Sequence, residues 1–196
     1  YTATFTVDRS DADGRVSFTI NYTDKAGNSG VQLDTTDISS GTTITVDNTS
    51  PTVDFSVTDS NNPNSDNPFN ITADFNETVV GLVVGDFASS DGTLTNLLNP
   101  SGNQYTFDVT PTADQTSTIT VEMIDEGVTD QTGNTIVRTT FDVDFDDQAP
   151  NILSNVTDSV VVYGQDLTVT LNIDEVGELY YALVPNGTSA TAAEVK

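Results

Sequence analysis

Residues 69–75 read FNITADF, and Phe69, Ile71, Ala73 and Phe75 fall on every second position. Successive side chains of a β-strand point to opposite faces, so this alternation places four apolar residues on one buried face and the polar residues on the other. The same period continues on both sides. Val53, Phe55 and Val57 precede it; Tyr105, Phe107 and Val109, then Ile119, Val121 and Met123, then Phe141, Val143 and Phe145 follow. Near the start of the chain, Tyr1, Ala3, Phe5 and Val7 keep it, as do Val16, Phe18, Ile20 and Tyr22. Clusters of Asn, Asp, Gly, Ser and Pro between these runs read as turns, and no segment shows a convincing helical period.

About seven short strands per hundred residues predict an all-β chain of immunoglobulin-like sandwiches, in which two antiparallel sheets bury their inner faces against each other. A jelly roll would need more strands. Landmarks also recur at intervals of about a hundred residues, the size of one domain. TDKAGN at 23–28 returns as TDQTGN at 129–134, YTATFTV from Tyr1 as YTFDVTP from Tyr105, and DNTSP ending at Pro51 as DDQAP ending at Pro150. The reading is an extended tandem array in which residues 1–49 are the C-terminal half of one domain, 50–148 a complete domain, and 149–196 the N-terminal half of another. A window cut from a longer array is the simplest expectation. An open half-sandwich exposes core and unpaired edges, so completion in cis and completion by strands from a neighbouring chain both stand open.

The run FNITADFNETVVGLVVGDF, followed by DGTLTNL, YTFDVTPTAD, STITV and TDQTGN, resembles the tandem immunoglobulin-like repeats of large prokaryotic surface proteins. DEVGELYYALVPNGTSATAAEVK, residues 174–196, resembles the opening half of another variety of these repeats. The resemblance implies an extracellular, cell-surface rod, part of the stalk of an adhesin or the lattice of a surface-layer protein. Its implied partners are the neighbouring immunoglobulin-like domains of the same chain, with self-association in a surface lattice or filament as a further expectation. Fold alone does not fix a function.

Composition excludes several classes. Five Lys and Arg against 30 Asp and Glu give a net charge of −25, which repels nucleic acid and anionic membranes, and no apolar run is long enough to insert in a bilayer. With neither His nor Cys, histidine-based triads, thiol nucleophiles and the usual zinc sites are unavailable, so the expectation is a non-catalytic module. The alternative is a sandwich that binds carbohydrate or another ligand. It is weakened by the absence of Trp and by aromatic residues that fall mostly on inward positions; Tyr180 is the exception, opposite in phase to Tyr181. Of the acids, 24 are Asp and six Glu, a bias that favours turns, and so the charge is expected in loops. Self-repulsion on this scale asks for salt or cations.

Strands that run alternately up and down put TDQTGN in the loop between the sixth and seventh strands, at the pole where the chain enters the domain, facing the linker DNTSP. Gly133 and Asn134 suit a positive φ there, and Asp130 can tie the turn through its side chain. Around this junction the sequence would gather Asp47 and Asn48 from the linker, Glu77, Asp130, and Asp11 and Asp13 from the preceding loop DRSDADG. Oxygen ligands from several loops suit Ca²⁺. The following junction offers Asp146, Asp147 and Glu175, with only Asp114 in its PTADQTS loop, and predicts a weaker site. DADG is no EF-hand, because Arg9 stands where the first aspartate belongs and no Glu closes the loop. A plain hairpin turn accounts for the repeated loop equally well. Asn21, Asn48, Asn70, Asn76, Asn155 and Asn186 lie in glycosylation sequons, only slightly more than this composition yields by chance. Asn48 is set aside as a glycan acceptor because it sits inside the candidate calcium linker.

Overall fold

The computed structural model describes residues 2, 4–39, 44–59, 61–124, 127–154, 164, 170–178 and 180–181. The chain forms two units, Tyr1–Asp147 and Gln148–Lys196. In the first lie β1 (Gly14–Arg15), β2 (Thr19–Ile20), β3 (Leu33–Asp34), β4 (Thr45–Val46), β5 (Val53–Val57), β6 (Phe69–Phe75), β7 (Val79–Val80), β8 (Phe87–Ser89), β9 (Thr93–Ser101), β10 (Gln104–Thr110), β11 (Thr116–Met123), β12 (Thr129–Asp130) and β13 (Thr140–Asp146). In the second lie β14 (Ile152–Ser154) and β15 (Asn172–Ile173).

Seven of these strands make the sandwich. One sheet has the order β5-β6-β10-β9 and the other β13-β11-β8. Lettered A to G in chain order as β5, β6, β8, β9, β10, β11 and β13, these are the A-B-E-D and G-F-C sheets of an immunoglobulin-like domain of constant type. The alternating residues are its core. Phe69, Ile71, Ala73 and Phe75 meet Phe107, Val109, Ile119, Val121, Met123, Val143 and Phe145, while Phe55, Val57, Tyr105 and Phe141 pack at the margin. Phe87 stacks on Phe107 at 4.5 Å between ring centres and meets Phe55 edge-on at 6.0 Å. Register follows from this pattern, since a slip by one residue would turn every inward side chain to solvent.

The outer face corrects one expectation, that the acids sit in loops. On β13, Asp142, Asp144 and Asp146 point outward and accept the hydroxyls of Thr120, Thr118 and Thr116 at 2.7, 3.0 and 2.8 Å. These are directly opposed cross-strand pairs of β11 and β13. A short carboxylate facing a threonine hydroxyl gains a charge-assisted hydrogen bond, which lets Asp occupy strand positions it otherwise avoids.

Among the described residues of 4–47 the strand pairings are short, β1 with β4 and β2 with β3, and most of the apolar alternation is left open. In the second unit β14 pairs antiparallel with β15, Ile152 opposite Ile173. Because, among the described residues, the sandwich encloses its aromatic residues and the upstream segment does not, truncation there and upstream should differ. Phe107→Ala is expected to cost about 3–5 kcal/mol in urea unfolding, and Phe5→Ala, at an open position, about 0.5 kcal/mol or less.

Candidate functional site

The polar cluster at the incoming pole starts from one carboxylate. Asp130 is only 3% exposed, and its Oδ1 accepts the backbone N–H groups of Thr132, Gly133 and Asn134 at 2.7, 2.6 and 2.9 Å. Its Oδ2 accepts the Asn134 amide at 2.7 Å and the Thr132 hydroxyl at 2.9 Å. Burial alone would push this carboxyl up, but the bonds from Asn134 and Thr132 win and hold it at about 2. Gly133 closes the turn at φ +97°, where a side chain would be strained. Asn134 does not share the expected positive φ. Its role is different, for its amide also donates to the Asp47 carbonyl at 2.9 Å.

The linker is thereby tied to the sandwich, and other bonds continue the seam. Pro51 is fully buried and its carbonyl accepts Val137 N–H at 3.0 Å. Thr52 N–H donates to Asn76 Oδ1 at 2.8 Å, and Asn76 N–H returns to the Thr52 carbonyl at 3.1 Å. On the upstream side, Asn48 N–H donates to Asp13 Oδ1 at 2.6 Å, its amide donates to the Asp8 and Asp11 carbonyls at 3.0 and 2.9 Å, and the Thr49 hydroxyl donates to Asp13 Oδ2. Residues 47–52 are held from both ends.

Three of the predicted acids meet beside this seam. One carboxylate oxygen each from Asp47, Glu77 and Asp130 lies within 4.8 Å of the other two, and among the described residues this is the one such group of three acids. Two oxygens on one calcium ion at about 2.4 Å can be at most about 4.8 Å apart, so the spacing admits a shared cation. Asp47, Glu77, Thr78, Gln131 and Thr132 line a cleft of about 230 Å³ at this point. The electrostatics are strained. Burial raises the Glu77 pKa, and the charges of Asp130, Asp47 and Asp13 raise it further.

The other candidates are used differently. Asp13 belongs to the linker seam, although its charge reaches Glu77. Asp11 turns back into its own loop, where Oδ2 accepts Asp8 N–H at 2.8 Å. Asp146 pairs with Thr116, and Asp147 accepts Gln115 N–H at 2.9 Å and the Asn67 amide at 3.1 Å, tying the loops of the outgoing pole. Glu175 follows Asp174 in the second unit. Among the sequons, Asn21 accepts Gln32 Nε2 at 2.8 Å and Asn76 serves the lock just described. The Asn70 side-chain nitrogen, the atom a glycan would occupy, donates to Phe107 O and Asp108 Oδ1. Asn155 and Asn186 lie outside the described residues. Sequence reading missed the reach of Asn134 to the linker and the Thr52–Asn76 lock; the only available signal was the recurrence of Asn at the end of both TDxxGN loops.

A two-sheet sandwich with loops gathered at its poles and a linker stitched to one of them defines a structural module of an immunoglobulin-like class. The sequence profile of the bacterial Ig-like domain matches residues 47–145, and the chain belongs to that family. No curated protein and no solved structure matches it. Domains of this family are generally non-catalytic and typically occur in extracellular or surface proteins.

Two substitutions with opposite signs test this electrostatic description. Asp130 has a folded pKa below its unfolded value near 3.9, so its contribution is complete above pH ~4 and is lost as pH falls toward about 2. Asp130→Ala should cost about 3 kcal/mol at pH 7 in urea unfolding and flatten the acid limb of the stability curve. Glu77 has the reverse sign, a raised folded pKa that weakens the fold once the group ionises. Glu77→Gln should therefore raise the melting temperature at pH 7 in chelator, with the gain disappearing at acidic pH where Glu77 is protonated.

Proposed function

We propose that this chain is a spacer segment of a large extracellular surface protein, an array of immunoglobulin-like sandwiches whose junctions are stiffened by divalent cations. The observation that carries the reading is the clamped linker: residues 47–52 are hydrogen-bonded from both sides while three carboxylates converge beside them. A spacer transmits position or force only as well as its joints hold their angle. Proline at the end of each linker, Pro51 and Pro150, restricts the backbone further.

Recurrence of local geometry supports the array. In the upstream segment Asp24 repeats the role of Asp130, with Asn28 N–H and Nδ2 donating to its two oxygens at 2.8 Å each and Asp24 N–H donating to Asn28 O at 2.9 Å. In the second unit Asn151 and Asp174 repeat the Thr52–Asn76 lock, N–H to Oδ1 at 2.7 Å and N–H to O at 3.1 Å. That correspondence gives Glu175 the position of Glu77, next in the chain after the locking residue.

Calcium is the cation of choice because every donor is a hard oxygen. Three carboxylates leave the remaining ligand positions to water and loop carbonyls, which places affinity at the weak, extracellular end of the calcium range. An adhesin stalk and a surface-layer lattice use such a joint in the same way, and glycans at Asn21 or other exposed sequons would suit either.

At ~2 mM calcium and a Kd of about 0.2 mM, mass action adds about 1.4 kcal/mol to the folded state. Calcium should therefore raise the melting temperature by roughly 5–10 °C over chelator, magnesium should do so less, and Asp47→Asn with Glu77→Gln should remove the response. A calcium shift that survives the double substitution would place the ion elsewhere, and the absence of any shift in the wild type would contradict the stiffening.

A further inference from the structure

β5 and β13 are edge strands of opposite sheets and run along the same side of the sandwich. At one end of this side Val137 N–H donates to the Pro51 carbonyl at 3.0 Å, and at the other Asn64 bridges Phe145 in parallel register. Between these closures lies a groove of about 380 Å³. Half-buried Phe55, Val57 and Phe141 and buried Val143 line it, and the Phe55 and Phe141 rings stand 6.2 Å apart. Its charged residues, Asp59, Asp142 and Asp144, are all negative.

The β13 wall also has backbone groups to offer. Asn64 N–H donates to Asp144 O at 2.8 Å and Asp146 N–H to Asn64 O at 2.9 Å, so the even-numbered residues of β13 turn their N–H and C=O groups away from β11. Among the described residues nothing bonds Asp142 N–H, Asp142 O or Asp144 N–H. Other edges are blunted: β9 carries Pro100, Asn96 at φ +57° and two register shifts against β10, and β8 is three residues long. β13 instead pairs with β11 through seven consecutive residue pairs without a shift, which leaves its outer edge a regular template.

We infer that this edge docks an extended, basic peptide segment of another protein, which adds a strand beside residues 140–144 and alternates apolar side chains with Lys or Arg. The pleat dictates the alternation. Inward side chains of the added strand enter the groove over Phe141 and Val143, and outward ones stand beside Asp142 and Asp144. Thr120 and Thr118 occupy Oδ1 of these aspartates, which leaves Oδ2 to a cation. Residues 138–143, between the two closures, span about 20 Å of strand and take a segment of about six residues. A second copy of the same edge would set Asp against Asp. Residues 1–196 hold no fitting segment either, since Arg9, Arg15, Lys25, Arg138 and Lys196 never stand two positions apart. The groove shares no residue with the Asp47, Glu77 and Asp130 cluster, and it gives the spacer a lateral attachment point independent of its joint.

The test titrates the whole chain, at ~20 mM NaCl, with a capped peptide of about six residues that alternates Lys and Val, and follows amide shifts and hydrogen exchange by NMR. Peptides alternating Glu and Val, or carrying the same Lys and Val in two blocks, are the controls. The alternating basic peptide should protect Asp142 and Asp144 N–H from exchange, bind more weakly at ~200 mM NaCl, and outcompete both controls. Asp142→Asn with Asp144→Asn keeps acceptors for the threonines and removes the charge, so affinity should fall about fivefold to tenfold with melting little changed. Asp142→Pro deletes an N–H that β11 does not use and should abolish protection of Asp144; the asparagine pair still tests the site if proline lowers the melting temperature. Absence of binding up to ~1 mM peptide, protection at other amides instead, or equal affinity for the block peptide or the asparagine variant would overturn the proposal. Protection that rises with chain concentration alone would assign the edge to a second copy and overturn it equally.

Discussion

The incoming end of the sandwich is organised by one buried negative charge. A carboxylate taken out of water is costly unless hydrogen bonds replace its hydration, and Asp130 obtains them from Thr132, Gly133 and Asn134. Those bonds fix the loop, the loop aims Asn134, and Asn134 holds the linker carbonyl. The orientation of residues 47–52 is therefore a consequence of satisfying Asp130. The outgoing pole uses the same logic with Asp91 and Asp147, which gather Thr112, Gln115 and Asn67.

Charge at the junction then has two roles that oppose each other. Asp130 is fully satisfied and contributes to stability, whereas Glu77 is partly desolvated and lies among the like charges of Asp130, Asp47 and Asp13, which raise its pKa. A fold that keeps such repulsion at a joint gains something only if another species relieves it. Salt would do so weakly and without geometry, while a divalent ion would link linker, B–C loop and F–G loop in one contact. The proposed coupling of cation binding to joint stiffness rests on where the three carboxylates sit.

Much of this was legible in the sequence because period-two burial leaves a strong imprint. Phe69 to Phe75, Ile119 to Met123 and Phe141 to Phe145 are core residues for the reason their spacing implies, and counting strands up and down put Glu77, Asp130 and the linker at one pole. Side-chain choices within loops were less legible. Asp11 and Asp13 look equivalent in DRSDADG, yet the side chain of one closes its own turn and that of the other holds the linker, a distinction that their spacing in the sequence does not carry. Asp142, Asp144 and Asp146 were hidden for another reason, since their strand positions depend on threonines opposite them more than twenty residues away.

The central claim is that an ion sets the stiffness of the joint between residues 4–47 and the sandwich. With no native cysteine, two spin labels can be placed without background, at Lys25→Cys and Thr95→Cys. Pulsed dipolar spectroscopy then reads the distribution of their separation in calcium and in chelator. The account predicts one narrow distribution with calcium that broadens when the ion is removed. Equal widths in both conditions would contradict it.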